Sequence, residues 1–203
     1  MYINILNNDQ AEILPFLKLF NRSFYLVGGT AIAMHLGHRR SIDFDLFTNS
    51  RLNKSRIRSH LNSIPFKKVP VFEDYDQVHL LLNNVKVTFF NYPYEIEHKL
   101  KVADAITIPS LNYLAAMKAF ALGRRSKWKD YVDLYFILKD HFSINEIAGL
   151  ANEIYKGLFS EKLFREQLAF HKDIDFSETV EYLVSPVPEE EIKQFLIDKA
   201  LEW

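Results

Sequence analysis

The feature that most narrows the fold is a change of hydrophobic period near residue 109. Before it, apolar residues come in short alternating or continuous runs: 24–27, 42–47, 67–73, 78–82, 85–92 and 106–109. A period of two belongs to strands with one buried face. From Ser110 onward the spacing becomes 3.6, with Leu111, Leu114, Met117 and Leu122 on one stripe and Val132, Tyr135, Phe136 and Leu138 on another. Ser110, Ser143 and Ser160 stand as N-caps, and Pro188 ahead of Glu189-Glu190-Glu191 opens a last helix whose acids suit the positive end of its dipole. Strands first and helices after predict an α+β protein, with a mixed β-sheet and flanking helices followed by a C-terminal helical bundle. The boundary divides the chain into an α/β part, 1–108, and a helical part, 109–203, packed on it to form a cleft. Within the first part, 9–21 reads as an amphipathic helix bent or started at Pro15, and 53–63 as a basic helix capped by Asn53. Asn83-Asn84 suits a two-residue hairpin, because Asn tolerates positive φ.

Composition removes several classes of function. Of 203 residues 48% are hydrophobic and 25% charged, enough to bury a core and too apolar for a disordered chain. No apolar run approaches the roughly 18 residues of a membrane span, and the start lacks a basic region and a long apolar stretch, so a cytoplasmic protein with no membrane partner is expected. The absence of cysteine excludes disulfides, thiolate metal sites and thiol nucleophiles, which leaves oxygen and imidazole to hold any metal. The seven histidines show no paired metal spacing and read as structural. Residues 173–203 carry nine acids against two bases, leaving the rest of the chain modestly basic. Such a body can hold a polyphosphate or a nucleic acid, or present a solvated face. The acidic tail itself reads as a solvated helix face or a docking surface for a basic partner.

The chemistry concentrates in Gly28-Gly29-Thr30, followed twelve residues later by Asp43-Phe44-Asp45. Glycines let a backbone approach phosphate oxygens, and a helix opening after them offers N–H donors. Asp43 and Asp45 alternate with apolar residues, so both carboxylates share one strand face, about 6–7 Å apart. Buried without partners they would be costly, so they either face solvent or bind cations.

The string from Leu26 to Phe47 resembles the AbiEii/AbiGii toxin family within the polymerase-β-like nucleotidyltransferase superfamily. Lys118 through Arg125 and Lys129-Asp130-Tyr131-Val132-Asp133 are similar to that family's helical Lys and Lys-Asp-x-x-Asp motifs. The resemblance covers about residues 20–140. It implies a nucleotidyltransferase that moves an NMP from an NTP to a hydroxyl acceptor, RNA (a tRNA end, for instance) or protein, as the toxin of a bacterial toxin–antitoxin or phage-defence system. A cognate antitoxin protein and Mg2+ or Mn2+ are implied as partner and cofactor. Carried over, Gly28, Gly29 and Thr30 cradle the triphosphate, Asp43 and Asp45 hold the metal, Lys118 offsets triphosphate charge, and Asp130 and Asp133 complete the cleft wall around the nucleotide. Arg40 and Ser41 contact phosphate or pin the strand entry.

Other readings of these residues stay open. Lys118 also fits a snorkelling surface lysine, and Asp130 and Asp133 fit helix capping or pairing with Arg124, Arg125, Lys127 and Lys129. The superfamily's third carboxylate is missing from 85–92, where Lys86 or Thr88 falls in its place; Glu73, Asp76 or Asp130 are the acids that could substitute. Without a substitute the chain is a weak or inactive nucleotide-binding protein that keeps the fold. A small-molecule nucleotidyltransferase of the aminoglycoside kind would need an acidic pocket. Arg51, Lys54, Arg56, Arg58, Lys67 and Lys68, with Arg124, Arg125, Lys127 and Lys129, would steer an RNA acceptor if they lined one rim of the cleft.

Overall fold

The structure, a computed structural model, describes residues 1–202. Helix α1 (Asn8–Ile13) is fixed by a capping box between Asn7 and Gln10 and passes at Pro15 into a 3₁₀ segment, Leu14–Leu19. Then come β1 (Tyr25–Val27), α2 (Gly28–Leu36), β2 (Phe44–Thr48), α3 (Lys54–Asn62), β3 (Lys68–Glu73), β4 (Gln77–Leu82) and β5 (Val85–Asn91). A small hairpin of β6 (Leu100–Val102) and β7 (Ile106–Ile108) precedes α4 (Leu111–Leu122), α5 (Trp128–Asp140), α6 (Ile144–Tyr155), α7 (Glu161–Ala169) and α8 (Glu189–Leu201). Among the described residues every strand thus precedes residue 109.

Strands β1 to β5 form one mixed sheet in the order β1-β2-β5-β4-β3. Only β2 and β5 run parallel, and α3 with the β3–β4 hairpin makes the crossover between them. The sheet separates two faces. Leu26, Phe44, Leu46, Leu80, Val87 and Phe89 are buried on one, with Phe20, Phe24, Ile57 and Leu61. Burying each of these large side chains is worth roughly 1.5–3 kcal/mol, so the alternation leaves one register open to each strand. The other face carries Val27, Asp45, Phe47, Thr88, Phe90 and His79 toward α4.

Local signals explain most boundaries. Asn83 and Asn84 take φ of 49° and 64° and close the β4–β5 hairpin. Asn53, Ser143 and Ser160 each accept from a backbone N–H in the first helical turn. Three details depart from the sequence reading. Ser110 makes no side-chain cap; its hydroxyl donates to Asn112 instead. Helix α2 starts at Gly28, not after the glycine pair. The β6–β7 hairpin turns on Ala103 and Asp104 at positive φ, a pair without glycine or asparagine to announce it.

Candidate active site

Strand β1 delivers its end to β2 with Val27 opposite Asp45, so α2 begins beside that carboxylate. Gly28 sits at φ 72°, and a Cβ there would collide with Asp45 Oδ2. A Cβ on Gly29 would lie 2.7 Å from Arg39 Nη2 and 3.0 Å from Ser41 Oγ. The glycine pair therefore lets the helix N-terminus close on an acid on one side and an arginine on the other. Gly28→Ala is expected to cost about 1–2 kcal/mol from left-handed backbone alone, and to displace Asp45 besides. A thermal melt and a transfer assay on that variant check both parts.

Asp45 lies in β2 and Asp43 just before it, each half-buried. No ion pair to either carboxylate occurs among the described residues. Burial pushes Asp45 above the ordinary carboxylate value and the Asp43 charge adds to this, with Arg125, Lys86 and the Thr88 hydroxyl opposing. Burial likewise raises Asp43, against Lys86 and Lys129 and with Glu178. Two acids without a cationic partner that repel each other in a half-buried site are what a divalent cation would relieve. The donor set fits Mg2+ or Mn2+, hard ions that accept one or two carboxylates and fill their remaining positions with water and phosphate oxygens. The described residues hold no cluster of three or more metal-ligating side chains.

The register shows which residue stands where the third acid is expected. Asp45 is opposite Thr88 on β5, so Thr88 takes that place, and Lys86 lies two residues before it on the same face. Glu73 pairs with Arg58 (2.8 Å) and Lys54 (3.4 Å) at the far edge of the sheet, while Asp130 is held by Lys118 and Arg125.

Lys118, Asp130 and Asp133 meet, but mainly one another. Asp133 is fully buried and receives Arg39 through two bonds of 2.7 and 2.8 Å, His38 at 2.8 Å and Lys118 at 2.9 Å. Asp130 receives Lys118 at 2.6 Å and Arg125 at 2.9 and 3.2 Å. Burial opposes the charge on Asp133, yet Arg39 and Lys118 hold its carboxyl well below the usual range. The network runs from α5 through Arg39 to the underside of Gly29. Asp133 is thereby a support beneath the cleft instead of part of its wall, whereas Lys118 still borders the cleft.

Thr30 departs from the sequence reading, and Arg40 takes the second of the two roles expected of it. Thr30 is buried and its hydroxyl donates to the Asp43 carbonyl, so it fixes the strand that carries the acids and does not face a phosphate. Arg40 turns to Glu181 (2.6 Å) and to the Ile5 and Leu6 carbonyls, pinning the strand entry away from the cleft. Its neighbour Arg39 is the arginine beneath the site. Neighbouring arginines look alike in sequence, and only the packing of α2 on α5 separates them.

The cleft itself spans about 570 Å3 between the sheet and α4. Lys86, Lys118, Arg124 and Arg125 line it against a single carboxylate, Asp45, and Phe47, Phe90, Tyr92 and Tyr94 form an aromatic side. Arg124 lies 3.5 Å over the Phe120 ring. The supposed basic rim is divided. Arg51 and Arg56 line a separate pocket beside β1, while Lys127 and Lys129 are paired with Asp175 and Glu178 of the C-terminal segment. Part of the acidic tail is thus a strap bound beside Asp43, not a solvated helix face.

The profile described as nucleotidyl transferase AbiEii toxin, Type IV TA system, matches residues 17–203. The chain belongs to the AbiEii nucleotidyltransferase toxin family. An uncharacterized protein of Aquifex aeolicus is 30% identical over 185 residues, covering 89% of this chain and 87% of its own. Among solved structures, the nucleotidyltransferase toxin MenT4 of Mycobacterium tuberculosis aligns over 95% of this chain and 81% of its own, with TM-score 0.64 and 16% identity. JHP933 of Helicobacter pylori aligns over 95% and 89%, with TM-score 0.53 and 18% identity. At such identities the structural likeness speaks for the fold, and the AbiEii assignment rests on the profile. No helix among the described residues is long and apolar enough to cross a membrane.

Proposed function

We propose that the cleft transfers a nucleoside monophosphate from an NTP to a hydroxyl acceptor on RNA or protein and releases pyrophosphate. The observation that carries this reading is a pair of carboxylates, Asp43 and Asp45, that have no ion-pair partner among the described residues and stand beside the N-terminus of α2 at the head of a basic cleft. Asp43 and Asp45 would hold Mg2+ or Mn2+, which when bound neutralises phosphate charge and polarises the transferring phosphoryl group. The chain's own residues do the rest. Gly28 and Gly29 leave room for phosphate oxygens at the helix N-terminus, and Thr30 keeps the acid-bearing strand fixed. Lys118 and Arg125, held by Asp130, set positive charge where the triphosphate would lie. Most of the rate then comes from positioning and fixed electrostatics. The aromatic side offers stacking surface for a base. Within this reading the protein acts in the cytoplasm as the toxin of a pair whose antitoxin protein restrains it.

Lining with four cations and one acid disfavours a cationic small-molecule acceptor. Thr88 in place of a third acid is the observation that favours the other reading, a nucleotide-binding protein with little turnover. Incubation with α-labelled NTPs, Mg2+ and total RNA or lysate protein separates the two. Label on an acceptor supports transfer; NTP binding without transfer supports the weak enzyme. Lys118→Ala is expected to weaken NTP binding measured by calorimetry, since an ammonium about 4 Å from a phosphate is worth up to about 4 kcal/mol before desolvation.

A further inference from the structure

We propose that His79 is the base that takes the proton from the acceptor hydroxyl, the task left vacant where Thr88 replaces a carboxylate; this rests on the transferase reading above. Three observations carry it. The first is register. Asp45 stands opposite Thr88 on β5 and Thr88 stands opposite His79 on β4, so the three form one row across the cleft face, with a full strand between His79 and the acids. The second is elimination. Among the described residues lining the cleft Asp45 is the sole carboxylate and His79 the sole histidine, and the lysine and arginine side chains there are cations that have no lone pair to offer.

The third is orientation. Gln77 Nε2 donates to Asp74 Oδ2 at 3.0 Å, which turns Gln77 Oε1 toward His79. That oxygen accepts from His79 Nε2–H at 2.7 Å, so Nε2 carries the proton and Nδ1 keeps its lone pair. Asp74 is in turn fixed by the backbone N–H groups of Asp76 and Gln77. The chain Asp74–Gln77–His79 selects one tautomer, as a buried carboxylate does in a hydrolase triad, with Gln77 as the positioning residue. Burial and the Lys86 ammonium pull His79 below the ordinary imidazole value, with Asp74 opposing, which favours the neutral ring. Lys86 on β5 and Asp74 in the β3–β4 turn are the charged groups that act on it, and Asp45 on β2 with Arg124 and Arg125 just beyond α4 share the cleft.

In the step, the acceptor oxygen forms a bond to the α-phosphorus while its proton passes to His79 Nδ1. The bond from that phosphorus to the bridging oxygen breaks, and pyrophosphate leaves with the electron pair. The imidazolium afterwards returns its proton to water.

The test measures transfer from α-labelled NTPs to total RNA, and separately to lysate protein, from pH 5.5 to 9. For the parent the rate should rise through an acid limb below about pH 6.5, the ordinary imidazole value. His79→Gln should lose that limb and fall at least about 10²-fold in rate, with NTP affinity unchanged by calorimetry. A His79→Gln enzyme at parental rate, or with the same acid limb, overturns the proposal while leaving the transferase reading intact. A parent that transfers to neither probe overturns both. Nitrogen NMR of the folded parent gives a check that needs no variant: the Nε2–H tautomer is expected, and the Nδ1–H tautomer contradicts the proposal. Gln77→Leu should mix the tautomers in the same spectrum, and a spectrum it leaves unchanged removes Gln77 from the positioning role.

Discussion

Asp45→Asn is expected to abolish nucleotidyl transfer, a loss on the order of 10³-fold or more, and to leave the protein folded and more stable at neutral pH than the parent. The loss follows from removing one of two carboxylates offered to the metal. The gain in stability follows from the direction of the pKa shift. Burial and the Asp43 charge hold Asp45 above its unfolded value, so its ionised form favours the unfolded chain. That penalty is absent below the unfolded value of about 4, grows as pH rises toward the folded value, and is complete above it. Melting temperatures of parent and variant should therefore coincide near pH 3 and diverge toward pH 7. Added Mg2+ should raise the parent's melting temperature and leave the variant's nearly unmoved, because a ligand stabilises only the state that binds it. A variant that is inactive because it has unfolded would miss both trends.

Asp133→Ala is expected to do the opposite, damaging the fold and the activity together. It takes from the buried Arg39 its ion-pair partner and leaves Lys118 with Asp130 alone, and breaking a buried ion pair from one side costs about 3–5 kcal/mol. For a chain of this size that corresponds to a fall in Tm of roughly 10 °C. Asp133 has a depressed pKa, so its contribution is present above about pH 4 and is lost as pH falls below that toward the folded value. The parent should lose stability steeply in that acid window, and the variant, already without the contribution, should show a shallower fall there. Transfer should decline as well, since Arg39 packs beneath Gly29 and its release loosens the start of α2. Circular dichroism melts across pH 3 to 7 resolve the effect.

The contrast between these acids shows what was legible in the sequence. Asp43 and Asp45 alternate with apolar residues, and that local pattern already singles out the pair, although the strand itself takes in only Asp45 and leaves Asp43 just before it. The strands 67–73, 78–82 and 85–92, the Asn83-Asn84 turn and the caps at Asn53, Ser143 and Ser160 were legible for the same reason, each being decided within a few residues. Lys118, Asp130 and Asp133 could be named, but not their mutual pairing, because α4 and α5 meet through a tertiary contact that no spacing encodes. Arg39 and Arg40 stand in one run of bases and look alike in sequence, and burial separates them only when α2 packs on α5. Thr88 and Lys86 were both candidates for the third acid's place until the parallel β2–β5 register set Thr88 opposite Asp45. His79 looked structural, since its relation to the site passes through two strand pairings and a glutamine amide. The β6 strand and the acidic strap at 173–181 left no periodic signal. Their positions depend on partners far along the chain, such as Ile106 for Val102 and Lys127 for Asp175.

The most direct test of the central claim is to follow each phosphate of the NTP. Parallel reactions receive NTP labelled at the α- or the γ-position, with Mg2+ and total RNA or lysate protein, for parent and Asp45→Asn. The account predicts α-label fixed to a macromolecule, γ-label released as pyrophosphate, and neither outcome with Asp45→Asn. Label reaching the acceptor from the γ-position, or α-label transferred equally by Asp45→Asn, would contradict it.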